Sequence, residues 1–197
     1  MVILKLTTDQ RLRLRNLIEA GKSNKFSFLG FSLDLETNEF HDDLQNNAAT
    51  IELSNPTMHH QITELLAEYS QATKKPKSAK LVKFKDFPGG VAYENAFVKR
   101  AVDPIAHGFS RNPEKLVAAA ELIGGKRLEF GQASVELAAF NQIPLTYILW
   151  VDEDFPPSAS ILFDDTAPAF LNAEGLANLA ELATWRLLLA QKILASH

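Results

Sequence analysis

The chain has 197 residues, 20 Lys and Arg against 24 Asp and Glu, a formal charge of −4 and no cysteine. Its 46% hydrophobic and 22% charged residues are ordinary for a globular domain, and a chain this long buries about 70% of its unfolded surface. These values exclude a collagen-like or disordered chain, a disulfide scaffold, a thiolate zinc site, a cysteine-held iron–sulfur cluster and a cysteine nucleophile.

Thr7-Thr8-Asp9 opens a predicted helix with Leu14, Leu17 and Ile18 on one stripe and Gly21 as its stop, although the Arg/Leu alternation over 11–15 also fits a strand. Lys25–Leu35 alternates as a strand bearing Phe26, Phe28, Phe31 and Leu33, with a bulge or bend at Gly30. Ala49–Leu53 reads as a short strand. Asn55-Pro56 then starts a helix to about Ala72, burying Ile62, Leu65, Leu66 and Tyr69. Lys80–Phe84 is a strand, and Phe87-Pro88-Gly89-Gly90 is a turn in which glycine supplies a positive φ. A helix from about Ala92 carries Tyr93, Phe97 and Ala101 inward, and Pro104 kinks it or ends it near Val102. Asn112-Pro113 starts a further helix closed by Gly124-Gly125. Ala133–Phe140, Ile143–Val151 and Ala159–Phe163 follow as strands. The short Glu153–Pro157 link permits only an antiparallel pair. Asn172 caps a long helix with Leu176, Leu179, Ala183, Leu187 and Leu194 on its stripe. The expectation is one α+β domain over residues 1–197: a mainly antiparallel sheet packed against several helices, including a long C-terminal one.

The N-terminal stretch lacks the apolar run of a secretion signal. The longest uncharged apolar run, Leu137–Val151, is interrupted by Asn141, Gln142 and Pro144 and falls short of the ~20 residues of a membrane span. A cytoplasmic protein without membrane contact is expected.

The sharpest anomaly is acidic. Asp152, Glu153 and Asp154 precede Phe155-Pro156-Pro157, and Asp164-Asp165 follow the next strand, with no basic residue between. One metal site holding all five is excluded by geometry. A strand between Asp154 and Asp164 separates them by roughly 15–20 Å, whereas oxygen ligands lie about 2–2.6 Å from a metal. No metal and no cofactor is expected. Lys74, Lys75, Lys77, Lys80, Lys83 and Lys85 form a basic run without arginine forks or interleaved exposed aromatics, so a solvated face is expected rather than a nucleic-acid surface. Pro88, Gly89 and Gly90 stand between a strand and a helix, where backbone N–H groups cradle anions, but the pattern is neither phosphate-loop motif. Tyr93 and Arg100, seven residues apart, share a helix face. Arg100 is expected to pair with Asp152, Asp154 or Asp164, or else to face a pocket for an anionic ligand. His59 and His60 point about 100° apart on a helix and do not share a metal. No serine lies in GxSxG, and Trp150 and Trp185 read as core or rim aromatics.

The succession Leu81–Ala106 with its Phe-Pro-Gly-Gly turn, the Gly124-Gly125 pair, and the segment Ile143–Asp165 resemble one group, the bacterial and archaeal domain of unknown function family numbered 3786. Trp150, Asp152, Asp154, Phe155, Pro156, Pro157, Leu162, Phe163 and Asp164 carry the specific part, supported by Tyr93, Phe97 and Arg100. The resemblance covers about residues 80–190, with a looser fit over 26–69. It implies a shared structural domain with no established activity. The cysteine-rich segment of some relatives has no counterpart in this cysteine-free chain.

Three readings follow. The first is a non-catalytic binding or accessory domain that contacts a small ligand or partner protein through the Asp152–Pro157 turn. The second is a carboxylate- and arginine-based enzyme using two of Asp152, Asp154, Asp164 and Arg100 on an anionic small molecule, with or without the assistance of a metal. The third is a structural homodimer formed through the C-terminal helix. The candidate pocket is Tyr93, Arg100, Trp150, Asp152, Asp154, Phe155 and Asp164.

Overall fold

The computed structural model describes residues 2–18, 24–44 and 56–196. In chain order the elements are β1 (Val2–Ile3), α1 (Thr8–Leu17), β2 (Lys25–Phe28), β3 (Phe31–Asp34), β4 (Glu39–Asp42), α2 (Pro56–Tyr69), β5 (Leu81–Lys83), α3 (Gly90–Phe97), α4 (Asp103–Phe109), α5 (Glu114–Leu122), β6 (Lys126–Leu128), β7 (Ala133–Phe140), β8 (Ile143–Trp150), β9 (Ser158–Asp164) and α6 (Ala173–Ala195). This is an α+β fold. Its strands form two antiparallel sheets, a four-stranded one in the order β1-β4-β3-β2 and a five-stranded one in the order β5-β9-β8-β7-β6. The expected strand Ala49–Leu53 and the positions Gly21 and Asn55 lie outside the described residues.

Thr7 caps α1 and forms a reciprocal pair of hydrogen bonds with Gln10, which selects helix over the competing strand pattern. The stretch Lys25–Leu35 is not one bent strand. It is a hairpin in which Phe28 pairs with Phe31 and Leu29-Gly30 form the two-residue turn. Both turn residues take positive φ, 50° and 71°, the geometry that matches the twist of paired strands. Chain reversal keeps Phe26, Phe28, Phe31 and Leu33 all buried.

Pro104 does not end the third predicted helix. Residues Val98–Val102 form a π turn in which the Asp103 N–H reaches back to the Val98 carbonyl. The looser turn accommodates a residue without an N–H, and the axis continues through α4. Tyr93 is exposed rather than inward-facing. The inward position of that first turn is Gly90, where a Cβ would overlap the Phe84 carbonyl oxygen, and Phe84 stacks on Phe97 with ring centroids 4.3 Å apart. Tyr93 is displaced to the flank. Leu194, expected on the buried stripe of α6, is exposed as well, in the helix's last turn.

Leu145, Tyr147, Leu149, Ile161 and Phe163 lie on the face of the larger sheet that meets the helices and are buried. The Tyr147 hydroxyl lies 3.3 Å from Thr184 Oγ1 on α6, and Thr184 in turn donates to the Ala101 carbonyl of the π turn at 3.0 Å. Sheet, long helix and π turn are thereby tied by polar contacts inside an apolar layer. Burial pushes the Tyr147 hydroxyl's pKa well up. The two sheets share one hydrophobic core. At their junction Phe26, Phe28 and Tyr69 surround Phe140 at centroid distances of 5.8, 5.3 and 4.6 Å.

A buried charge fastens the smaller sheet to α6. Arg186 is fully buried, and its guanidinium donates to both Asp42 oxygens at 2.8 and 2.7 Å and to the carbonyls of Leu29 (2.8 Å) and Gly30 (3.1 Å). The Phe31 ring lies 3.8 Å from its central carbon. Both charges are compensated and the hairpin turn's carbonyls are satisfied, which is what makes such burial tolerable.

Candidate functional site

The expected pocket residues divide among three places. Asp164, at the last position of β9, is 2% exposed. It accepts from the backbone N–H groups of Ser78 (3.2 Å), Ala79 (2.7 Å) and Thr166 (3.0 Å) and from the Ser78 and Thr166 hydroxyls. Burial acts to raise its pKa, but the Thr166 and Ser78–Ala79 hydrogen bonds outweigh it and hold the carboxylate below the usual aspartate value. This group shapes the chain. It fixes Ala79 at φ 61° and lays β5 beside β9.

Tyr93 and Arg100 both reach α6. The Tyr93 hydroxyl lies 3.5 Å from Glu174 Oε2, and Arg100 lies 3.7 Å from Glu181, two turns further along. Arg100 is 62% exposed and pairs with none of Asp152, Asp154 or Asp164. The reason is topological. Asp164 has filled its acceptor sites with backbone donors, and Asp152 and Asp154 belong to the loop before β9, a seven-residue strand or about 20 Å away. Gly89 has φ 80° and lets Pro88 and Gly90 turn the chain directly into α3. Among the described residues, no group of three or more His, Asp or Glu side chains is placed to hold a metal ion.

The third place is the end of the larger sheet where β8 passes into β9. Trp150 follows Leu149 and therefore points to the face opposite the helices, 42% exposed. Phe155 is 71% exposed. Asp152, Glu153 and Asp154 are exposed and form no ion pair among the described residues; Asp152 Oδ1 accepts from the Asp154 N–H at 2.8 Å, which curls the loop outward. A further aromatic joins them. Phe130, 48% exposed, sits in the β6–β7 connection, whose Gly131 (φ 56°) presses against β8. A Cβ on Gly131 would lie 2.9 Å from Ile148 and 3.2 Å from the Trp150 indole nitrogen. The Ser134 hydroxyl accepts from the Phe130 N–H at 2.7 Å and holds this connection down. The result is a tip with three exposed aromatic rings and three unpaired carboxylates. Phe130 was not singled out from the sequence; an aromatic beside a turn glycine in Glu129-Phe130-Gly131 was the available signal.

Cavities lie elsewhere. One of about 420 Å³ separates β1 from α2 and is lined by His59, His60, Thr63 and Glu64; burial lowers the His59 pKa there. Two others run along the seam between α2 and α6. At the amino end of α6, Asn172 Oδ1 accepts from the Gly175 N–H, and Glu68 of α2 accepts from the Asn172 N–H at 2.7 Å.

A family model described as Domain of unknown function (DUF3786) matches residues 20–186. The chain belongs to this family. No curated protein and no solved structure matches it. The family match begins before β2 and ends at Arg186, so the hairpin, which lies outside the 80–190 region that carries the closer sequence resemblance, falls within the family's domain together with its buried arginine. No helix among the described residues is long and apolar enough to cross a membrane.

Proposed function

We propose that this DUF3786 domain is a non-catalytic binding module that engages a partner protein through the tip formed by Phe130, Trp150 and Phe155. The observation that carries the reading is the exposure of all three rings at one end of one sheet. Exposed aromatics are costly to solubility and are enriched where proteins meet, because they bury much area with little loss of side-chain freedom. Pro156 and Pro157 stiffen the loop that holds Phe155, which lowers the ordering cost of association. The three carboxylates favour a positively charged partner surface and disfavour nucleic acid. The catalytic alternative lacks this support, since its arginine and carboxylates occupy separate places.

A photo-crosslinking residue in place of Phe155, compared with the same residue in place of Val91 (76% exposed on α3), tests this in native lysate. A discrete adduct from position 155 alone, lost when Asp152, Glu153 and Asp154 are changed to amides, is expected. Equal capture from both positions, or none, overturns the reading.

A further inference from the structure

The seam between α2 and α6 is a second surface, independent of the tip. The helices run antiparallel there: Glu68 meets Asn172 at one end, and Met58 shares a cavity with Trp185 at the other. The two cavities along this seam, of about 190 and 610 Å³, share Gln61, Leu65 and Asn178 and so form one continuous groove. The first has an apolar floor of Met58, Ile62, Leu182 and Trp185. The second is rimmed by Glu64, Glu68 and Glu174, while Glu181 lines the first. No Lys or Arg lines either.

We infer that this groove is a docking site for a basic amphipathic helix of a partner protein. The shape argument comes from helix packing. Ile62 and Leu65, both buried, join Met58, Leu182 and Trp185 as the apolar floor of a trough between the two helices, against which a third helix lays an apolar stripe. The trough follows the 14 residues of α2, about 21 Å or four helical turns. The charge argument fixes the partner's sign. The α6 dipole offsets about half a charge near Glu68 and Glu174, and Arg100 offsets Glu181 from outside the groove. Glu64 has no ion-pair partner among the described residues, so the rim stays net negative. A second copy of the chain is a poor occupant. A two-fold contact would set Glu64 and Glu181 against like-charged copies, and the basic helix α1 already buries Leu14 and Leu17 in its own core.

The test uses the full chain carrying Trp150→Phe, which leaves Trp185 as the sole tryptophan. The probe is a synthetic helix of about 18 residues with a leucine stripe flanked by lysines; the control replaces every lysine with glutamate. The lysine peptide should bind and shift Trp185 emission to shorter wavelength, and the glutamate peptide should not. A Glu64→Gln/Glu181→Gln variant should weaken binding about tenfold. Neutralising Asp152, Glu153 and Asp154 should leave binding unchanged, which separates failure here from failure of the tip reading. No binding, equal binding of both peptides, or loss only on neutralising the tip overturns the proposal. An emission shift that depends on protein concentration without peptide assigns the groove to a second copy and overturns it as well.

Discussion

At the scale of single residues, Arg186 and Asp42 carry the largest concentrated stake in stability. Removing one member leaves a charge buried without its partner, which costs about 3–5 kcal/mol. Asp42→Asn should lower stability by that amount in urea unfolding. A double variant, Asp42→Leu with Arg186→Met, should lose less than the sum of the singles, because no charge is then stranded. It should still fall short of the parent, since the Leu29 and Gly30 carbonyls lose their donor. Asp164 makes a different prediction. Asp164→Asn gives up an ionic acceptor of several N–H groups and should cost about 1.5–3 kcal/mol at neutral pH. The parent carboxyl titrates below the ordinary aspartate value when folded, so its contribution is complete above the ordinary value and is lost as the pH falls through the lower folded one. The stability gap between parent and variant should therefore close at the acid end. The sequence marked Asp164 as unusual through its place in the acidic segment, but its role depends on donors 85 and 86 residues earlier, which no local pattern displays. Arg186 left a faint trace: it is the single cation on the stripe Leu179, Ala183, Leu187, Ala190.

Among the elements, the long C-terminal helix was the most legible, because a cap residue and a sustained apolar stripe agree. Asn172→Ala should cost about 1 kcal/mol in thermal or urea unfolding, the usual worth of such a cap. The strands β7, β8 and β9 were legible as well, since continuous apolar runs broken by short links leave few alternatives. The short strands were not. Lys126–Leu128 and Glu39–Asp42 have no strong intrinsic preference, and each becomes a strand only because a neighbouring strand supplies its hydrogen bonds. The hairpin at Leu29-Gly30 looks like a bulge or bend in the sequence because Leu29 is not a residue that ordinarily adopts positive φ. Gly90→Ala should destabilise α3 severely, by driving a Cβ into the Phe84 carbonyl and unseating the Phe84–Phe97 stack; loss of near-ultraviolet dichroism would report it.

For the molecule as a whole, packing and recognition occupy different regions. The core joins both sheets, whereas the tip at Trp150 and Phe155 lies beyond it. Truncating Phe155 to alanine should shift stability by less than about 0.5 kcal/mol while abolishing partner capture, which would separate binding from folding. The acidic-aromatic segment was visible as a composition anomaly, but its completion by Phe130 required the fold to bring the β6–β7 connection against β8.

The arginine clamp also sets a schedule for biosynthesis. Asp42 and the carbonyls of Leu29 and Gly30 leave the peptidyl-transferase centre 144 to 157 residues before the guanidinium that satisfies them. At 5–20 residues per second the wait from Asp42 to Arg186 is roughly 7–30 s. Throughout that interval the nascent hairpin must keep those groups wet, so its apolar face cannot seal until Arg186 itself has been translated.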